Sequence, residues 1–142
     1  MLKIKIFHPP CDLSDAFWIR DEVFTKEQGF SIPDVDEYDE RSVHVVIYRD
    51  ERPVATGRVY SDDDKITFHL GRIAVLKQYR GMDLGLNIME ELEKIARVRG
   101  AKHLVVGAQL YAIPFYQKCG YVPTGKRFFE EFCEHETMIK EV

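Results

Sequence analysis

Residues 69–99 read as a buried strand, a turn (Arg80-Gly81-Met82-Asp83-Leu84-Gly85) and the start of an amphipathic helix. A strand feeding such a turn leaves the first N–H groups of the helix unpaired, which makes a ready anion site. The stretch is either a phosphate cradle or only a tight connection. Other groups able to do chemistry are five histidines (His8, His44, His69, His103 and His135) and three cysteines (Cys11, Cys119 and Cys133). An isolated histidine is more often structural than catalytic. The cysteines are odd in number and widely spaced, with no C-x-x-C pair, so reduced thiols fit better than a zinc site.

Composition narrows the class. The chain has 142 residues, 45% apolar and 31% charged, with a formal net charge of −4. That balance fits one soluble globular domain over residues 1–142. It offers no bulk attraction to nucleic acid or to an anionic membrane. No apolar run approaches the ~20 residues that a membrane span needs. The basic-then-apolar layout of a signal peptide is missing from residues 1–20, so a cytoplasmic location is expected.

The elements that must position these residues follow from periodicity. Residues 2–7 alternate apolar and basic, a half-buried strand that Pro9-Pro10 stops. Asp12 or Ser14 can cap a helix running to about Phe24. Residues 29–42 read as loop, and five of the seven residues 34–40 are acidic. Such a run is first a solvated loop and only second a lure for a cationic amine, because exposed charges are screened. Three strands follow at 43–48, 54–60 and 66–76. The last is apolar on both faces (Leu70, Ala74 and Leu76 against Ile73 and Val75), which marks a central position. A helix over 84–99 carries a stripe of Ile88, Leu92, Ile95 and Ala96, with Glu90–Lys94 and Glu93–Arg97 as favourable outer pairs. A short strand at 103–108, a short helix at 112–118 and two strands near 121–122 and 133–139 complete the chain. The fold class is α/β (α+β): a mixed, mostly antiparallel sheet flanked by helices.

Four motifs now stand in order: Arg20-x-x-Val23-Phe24-x-x-Glu27-Gln28, the 80–85 turn, the segment from Gln109 to Tyr121, and His135-x-x-Met138. Together they resemble the GNAT (GCN5-related) N-acetyltransferase superfamily over nearly the whole chain. The first and last are similar to its small bacterial YjcF/ElaA-like branch, related to glyphosate acetyltransferases. The family turn reads Arg/Gln-x-x-Gly-x-Gly/Ala, and its later segment reads Asn-x-x-Ala-x-x-φ-Tyr-x-Lys-x-Gly-Phe, where φ is apolar.

The resemblance implies acetyl-CoA as cosubstrate, a small-molecule amine as acceptor, no metal and a possible homodimer. It puts the pyrophosphate on Arg80, Gly81, Met82, Asp83, Leu84 and Gly85, with Gln109, Phe115 and Lys118 as further cofactor contacts. The pantetheine arm would pair with the strand near Ile73, Ala74 and Val75, and an N–H there, Val75 or a neighbour, would polarise the thioester carbonyl. Tyr116 resembles the general acid that protonates the departing thiolate. Many relatives carry a base, Glu, where Gly71 stands. His135 is the candidate that replaces it, and His69 is the runner-up. Arg20, Arg72 and Gln109 are expected toward the acceptor pocket, where guanidinium forks suit an acceptor bearing an anion beside its amine. Arg72 alternatively satisfies carbonyls or pairs with an acid such as Glu27. Cys119 is expected near the CoA sulfur as core packing.

One residue departs from the pattern. The family's middle glycine is Asp83, which adds bulk and negative charge near a phosphate. At ~5 Å the repulsion is on the order of 1 to 3 kcal/mol. Asp83 either weakens cofactor binding or turns aside, capping the helix or pairing with Arg80 or Lys77. The alternative function is a non-catalytic acyl-CoA-binding or regulatory domain with a degenerate loop. A third reading, a nucleotide-binding module without acyl chemistry, is opposed by the Tyr116 motif.

Overall fold

The computed structural model describes every residue except Ile32, which lies within the expected 29–42 loop and outside the described residues. β1 (Leu2–Phe7), α1 (Ser14–Arg20), β2 (Val43–Arg49), β3 (Arg52–Ser61), β4 (Thr67–Val75), α2 (Leu84–Val98), β5 (His103–Gln109), α3 (Ile113–Lys118), β6 (Val122–Glu130) and β7 (Cys133–Glu141) follow in the order that periodicity predicts. The strands form one sheet, β1-β2-β3-β4-β5-β7-β6, antiparallel throughout except where β4 meets β5. This is the expected mixed α/β fold.

Helix α2 covers one face of the sheet. Leu84, Ile88, Met89, Leu92 and Ala96 recur at helical spacing and are fully buried against Val45, Ile47, Ala55 and Val59. Each large side chain so removed from water contributes roughly 1.5–3 kcal/mol. Of the two outer pairs expected on α2, Glu93–Arg97 forms at 3.7 Å, whereas Lys94 pairs with Glu91 instead of Glu90. The other face is covered by α1, through Ala16 and Ile19, and by the turn that continues it, through Val23, against Val46, Tyr48, Ala74 and Leu76. This helix starts where the Asp12 carboxylate accepts the Ser14 N–H, and it runs on past Arg20 as a wider π-helical turn, Asp21–Glu27.

Three expectations are corrected. β1 is an edge strand, and its apolar residues Leu2, Ile4 and Ile6 are 45–49% exposed because no helix reaches over it. The face assignment within β4 also fails. Leu70 shares the α2-side core with Ile73 and Val75, while Ala74 and Leu76 join the α1 side. A bulge between the Thr56 and Arg58 pairings, with Arg72 at φ +52°, shifts the alternation by one residue. Finally, the acidic run is neither a solvated loop nor a free lure. Asp34, Asp36 and Asp39 are turned inward onto Arg20, Arg58 and Arg72.

The centre of that network is Asp39, 2% exposed between Arg20 and Arg58. Arg20 Nη1 donates to Asp39 Oδ1 at 2.7 Å and Arg58 Nη1 to the same oxygen at 2.8 Å. The Asp36 N–H donates to Oδ2 at 3.0 Å. Burial alone would raise the Asp39 carboxyl. The Arg20 guanidinium, the Asp36 N–H and Arg58 outweigh it and hold the group at about 2. A carboxyl depressed in the folded state stabilises fully above its unfolded value of 3.8 and loses that contribution as pH falls toward about 2. Acid unfolding followed by circular dichroism should therefore steepen between pH 4 and 2. Asp39→Asn should flatten that window and cost about 3 kcal/mol or more at neutral pH by leaving two buried guanidinium groups short of charge.

Candidate active site

The parallel ladder between β4 and β5 is short: only Thr67–His69 pair with His103–Val105. Beyond it β4 stays with β3, while β5 stays paired with β7 as far as Gln109. The two central strands splay and leave a cleft of about 1070 Å³. Successive N–H groups of a strand point to alternate neighbours. Leu76 N–H donates to the Val54 carbonyl on β3, so the Val75 N–H faces the open side.

One half of the cleft is formed by Ile73, Ala74 and Val75 with Arg80, Gly85, Gln109 and Phe115. The approach of α2 to α3 is close there: a Cβ on Gly85 would lie 3.4 Å from Phe115 Cζ. Gly81, Met82 and Asp83 form the exposed outer rim of the turn and do not line the cleft; Leu84 is buried in the core instead. Lys118 is exposed at the far end of α3 and does not line it either.

The backbone of the turn adds a second constraint at Asp83. Gly81 and Asp83 both have positive φ, +82° and +61°. Position 83 thus needs the left-handed region, which aspartate is among the few residues besides glycine to adopt readily. Asp83 occupies the N-cap position of α2 without a side-chain cap bond, and pairs with neither Arg80 nor Lys77 among the described residues. Arg80 is engaged elsewhere. Its Nε donates to the Val75 carbonyl at 3.0 Å, and both Nη atoms grip Glu27 at 2.6 Å.

The other half holds Tyr116, His135, His69 and Arg72 together. Tyr116 is 8% exposed on α3, and its hydroxyl has no hydrogen-bond partner among the described residues, yet it is not sealed from the cleft. Burial, then the nearby Tyr111 and Cys119, push the pKa of the phenol up and keep it protonated. His135, 5% exposed on β7, has Nδ1 3.0 Å from the Cys133 carbonyl. A carbonyl only accepts, so Nδ1 carries the proton and Nε2 is the basic nitrogen of the neutral ring. His69 Nε2 is held instead by the Asp62 carboxylate at 2.9 and 3.0 Å, and its ring stacks on Tyr60.

Arg20 does not belong to this group. It is 1% exposed, tied to Asp34 and Asp39, and absent from the cleft wall. Arg72 lines the cleft but is anchored: Nε meets Asp34 Oδ1 at 2.9 Å and Nη2 meets Asp36 Oδ2 at 3.1 Å, leaving Nη1 without a hydrogen bond among the described residues. Glu27, expected as its alternative partner, holds Arg80. Three arginines therefore face three aspartates, and the network adds no net charge. Sequence reasoning missed Arg58, whose signal was a lone cation inside the apolar strand 54–60. Gln28 and Phe30 also line the cleft: Gln109 Nε2 donates to Gln28 Oε1 at 2.9 Å, and Phe30 stacks on Phe132. Among the described residues there is no cluster able to hold a metal ion, and no helix long and apolar enough to cross a membrane.

Residues 26–142 match the family model described as an acetyltransferase (GNAT) domain, and the chain belongs to that family. It is 41% identical over 131 residues to the uncharacterized N-acetyltransferase YjcF of Bacillus subtilis (strain 168), covering 91% of this chain and 92% of that one. The crystal structure of Escherichia coli ElaA superimposes with a TM-score of 0.88 at 25% identity, covering 99% of this chain and all of that one. An acyl-CoA N-acyltransferase from Pseudomonas aeruginosa shares the fold, with a TM-score of 0.88 at 23% identity and 99% of each chain covered. Acetyl transfer is the activity that the family description and the YjcF relative name.

Gly57 sets how closely α2 lies on the sheet. It faces the β4 bulge, and a Cβ there would lie 2.6 Å from Ile88 Cγ2 and 2.9 Å from both Ile73 and Leu92. Gly57→Ala should push α2 off the sheet, costing about 1–3 kcal/mol in thermal or urea unfolding.

Proposed function

We propose that the protein transfers an acetyl group from acetyl-CoA to a small-molecule primary amine by direct attack. One observation carries this reading: a protonated, unpartnered Tyr116 hydroxyl and a histidine with its basic nitrogen fixed as Nε2 line the same cleft, at the end of an unpaired strand edge. The residues present suit the cosubstrate. The open edge of β4 offers Val75 N–H, and the first turn of α2 offers backbone N–H groups to a diphosphate. Bound acetyl-CoA supplies an activated thioester carbonyl.

A primary amine with a pKa near ~10 is almost wholly protonated at pH 7, so a base is required. His135 Nε2 takes the amine proton, directly or through water, and Val75 N–H donates to the carbonyl oxygen as negative charge develops there. Tyr116 gives its proton to the departing sulfur. His69, occupied by Asp62, is a weaker candidate for the base than His135. Arg72 Nη1 is the free guanidinium donor that an anionic group of the acceptor can reach, which favours an amino-acid-like amine. Arg20 has no part in acceptor binding on this reading.

A thiol-release assay over an amine panel tests the assignments. Tyr116→Phe and His135→Ala should each lower kcat by about 10²–10³-fold, and unchanged rates in both would remove them. Asp83 bears on the alternative, a non-catalytic acyl-CoA-binding domain. Asp83→Gly should tighten acetyl-CoA binding about tenfold in calorimetry by removing charge beside the diphosphate. Wild-type binding without turnover of any amine would favour the alternative. Glu27→Gln should also tighten binding by freeing the Arg80 fork, and a weaker complex would contradict that.

A further inference from the structure

His135 stands on β7 between two strands: Gln109 of β5 lies opposite it on one side and Phe128 of β6 on the other. Directly opposed residues share a face of the sheet, so all three side chains lie on the cleft side. The Phe128 ring does not stand upright. It stacks on the imidazole with centroids 5.1 Å apart and planes 17° from parallel. It also reaches across β7 to β5, where a Cβ on Gly107 would lie only 2.9 Å from Phe128 Cζ and 3.7 Å from Cε1. Cβ atoms essentially never come that close. Gly107 has ordinary strand geometry, since its φ is not positive. What this position needs from glycine is space, not conformational freedom.

We propose that Gly107 and Phe128 are positioning residues for His135: the missing side chain at 107 lets the Phe128 ring lie flat across β7, and the ring holds the imidazole in the plane where Nδ1 meets the Cys133 carbonyl. The proposal rests on the reading of His135 as the base. One hydrogen bond alone leaves an imidazole free to swing about its Cβ bond. A stacked ring on one face removes that freedom and keeps Nε2 as the single basic nitrogen. Phe128 is only partly buried on an edge strand, so its truncation does not open the main core.

The test combines steady-state kinetics with ¹⁵N signals of the His135 ring in Gly107→Ala, Phe128→Ala, Phe128→Tyr and His135→Ala. Gly107→Ala and Phe128→Ala should lower kcat about 10-fold with KM for acetyl-CoA unchanged, a loss of the size that slight misplacement of a reacting group causes. Both should replace the single Nδ1–H tautomer with a mixture. Phe128→Tyr keeps an aromatic face and should restore both readouts. The proposal is overturned if Gly107→Ala and Phe128→Ala leave kcat and the ring signals at wild-type values while His135→Ala is inactive. If His135→Ala retains full activity, the base reading fails, and the ring signals alone still decide whether Phe128 fixes the imidazole.

Discussion

Everything at the cleft depends on two central strands that stop pairing. β4 and β5 share a parallel ladder of three residue pairs and then part. Each has a stronger claim elsewhere: β4 is held by β3 up to Val75, and β5 by β7 up to Gln109. An open strand edge at the centre of a sheet is costly unless something occupies it, because backbone N–H and C=O groups there lack partners. Here Arg80 Nε satisfies the Val75 carbonyl, and the Val75 N–H remains for a ligand. The cleft is thus a defect in the sheet kept open by the sheet's own geometry.

The ion network under the acceptor half makes that defect rigid. Arg72 sits at the bulge with positive φ, a conformation that residues with a side chain rarely adopt. Its guanidinium is tied to Asp34 and Asp36, and those acids are tied in turn to Arg20 and Arg58. The 34–39 segment is pulled onto the sheet, and the bulge cannot relax into regular pairing without breaking these contacts. His44 completes the arrangement, donating from Nε2 to the Asp39 carbonyl at 2.9 Å, while burial keeps its ring neutral.

Much of this was legible in the chain, and the exceptions have physical causes. The α2 stripe was readable because Ile88, Leu92 and Ala96 recur at helical spacing and nothing interrupts the helix. The succession of strands and helices along the chain was readable from periodicity in the same way, and the Gln109–Tyr121 segment from its resemblance to the family motif. The phase of β4 was not, because a one-residue bulge leaves no mark in alternation and flips every side chain beyond it. The acidic run misled because its partners, Arg20, Arg58 and Arg72, lie on three separate elements. Asp83 was read as a charge problem, whereas the backbone adds a second constraint, positive φ, that glycine and aspartate both meet. Arg20 matched a motif in sequence and proved to be buried scaffolding. Phe128 carried no signal, since its role follows from what Gly107 lacks two strands away.

The central claim, that the unpaired edge of β4 is where acetyl-CoA docks, can be read at a single amide. Hydrogen exchange of the Val75 N–H should be fast in the free protein and slow at least tenfold when acetyl-CoA saturates it, with the N–H groups of the α2 first turn following. Exchange at Val75 that stays unchanged while calorimetry shows the cosubstrate bound would contradict the account.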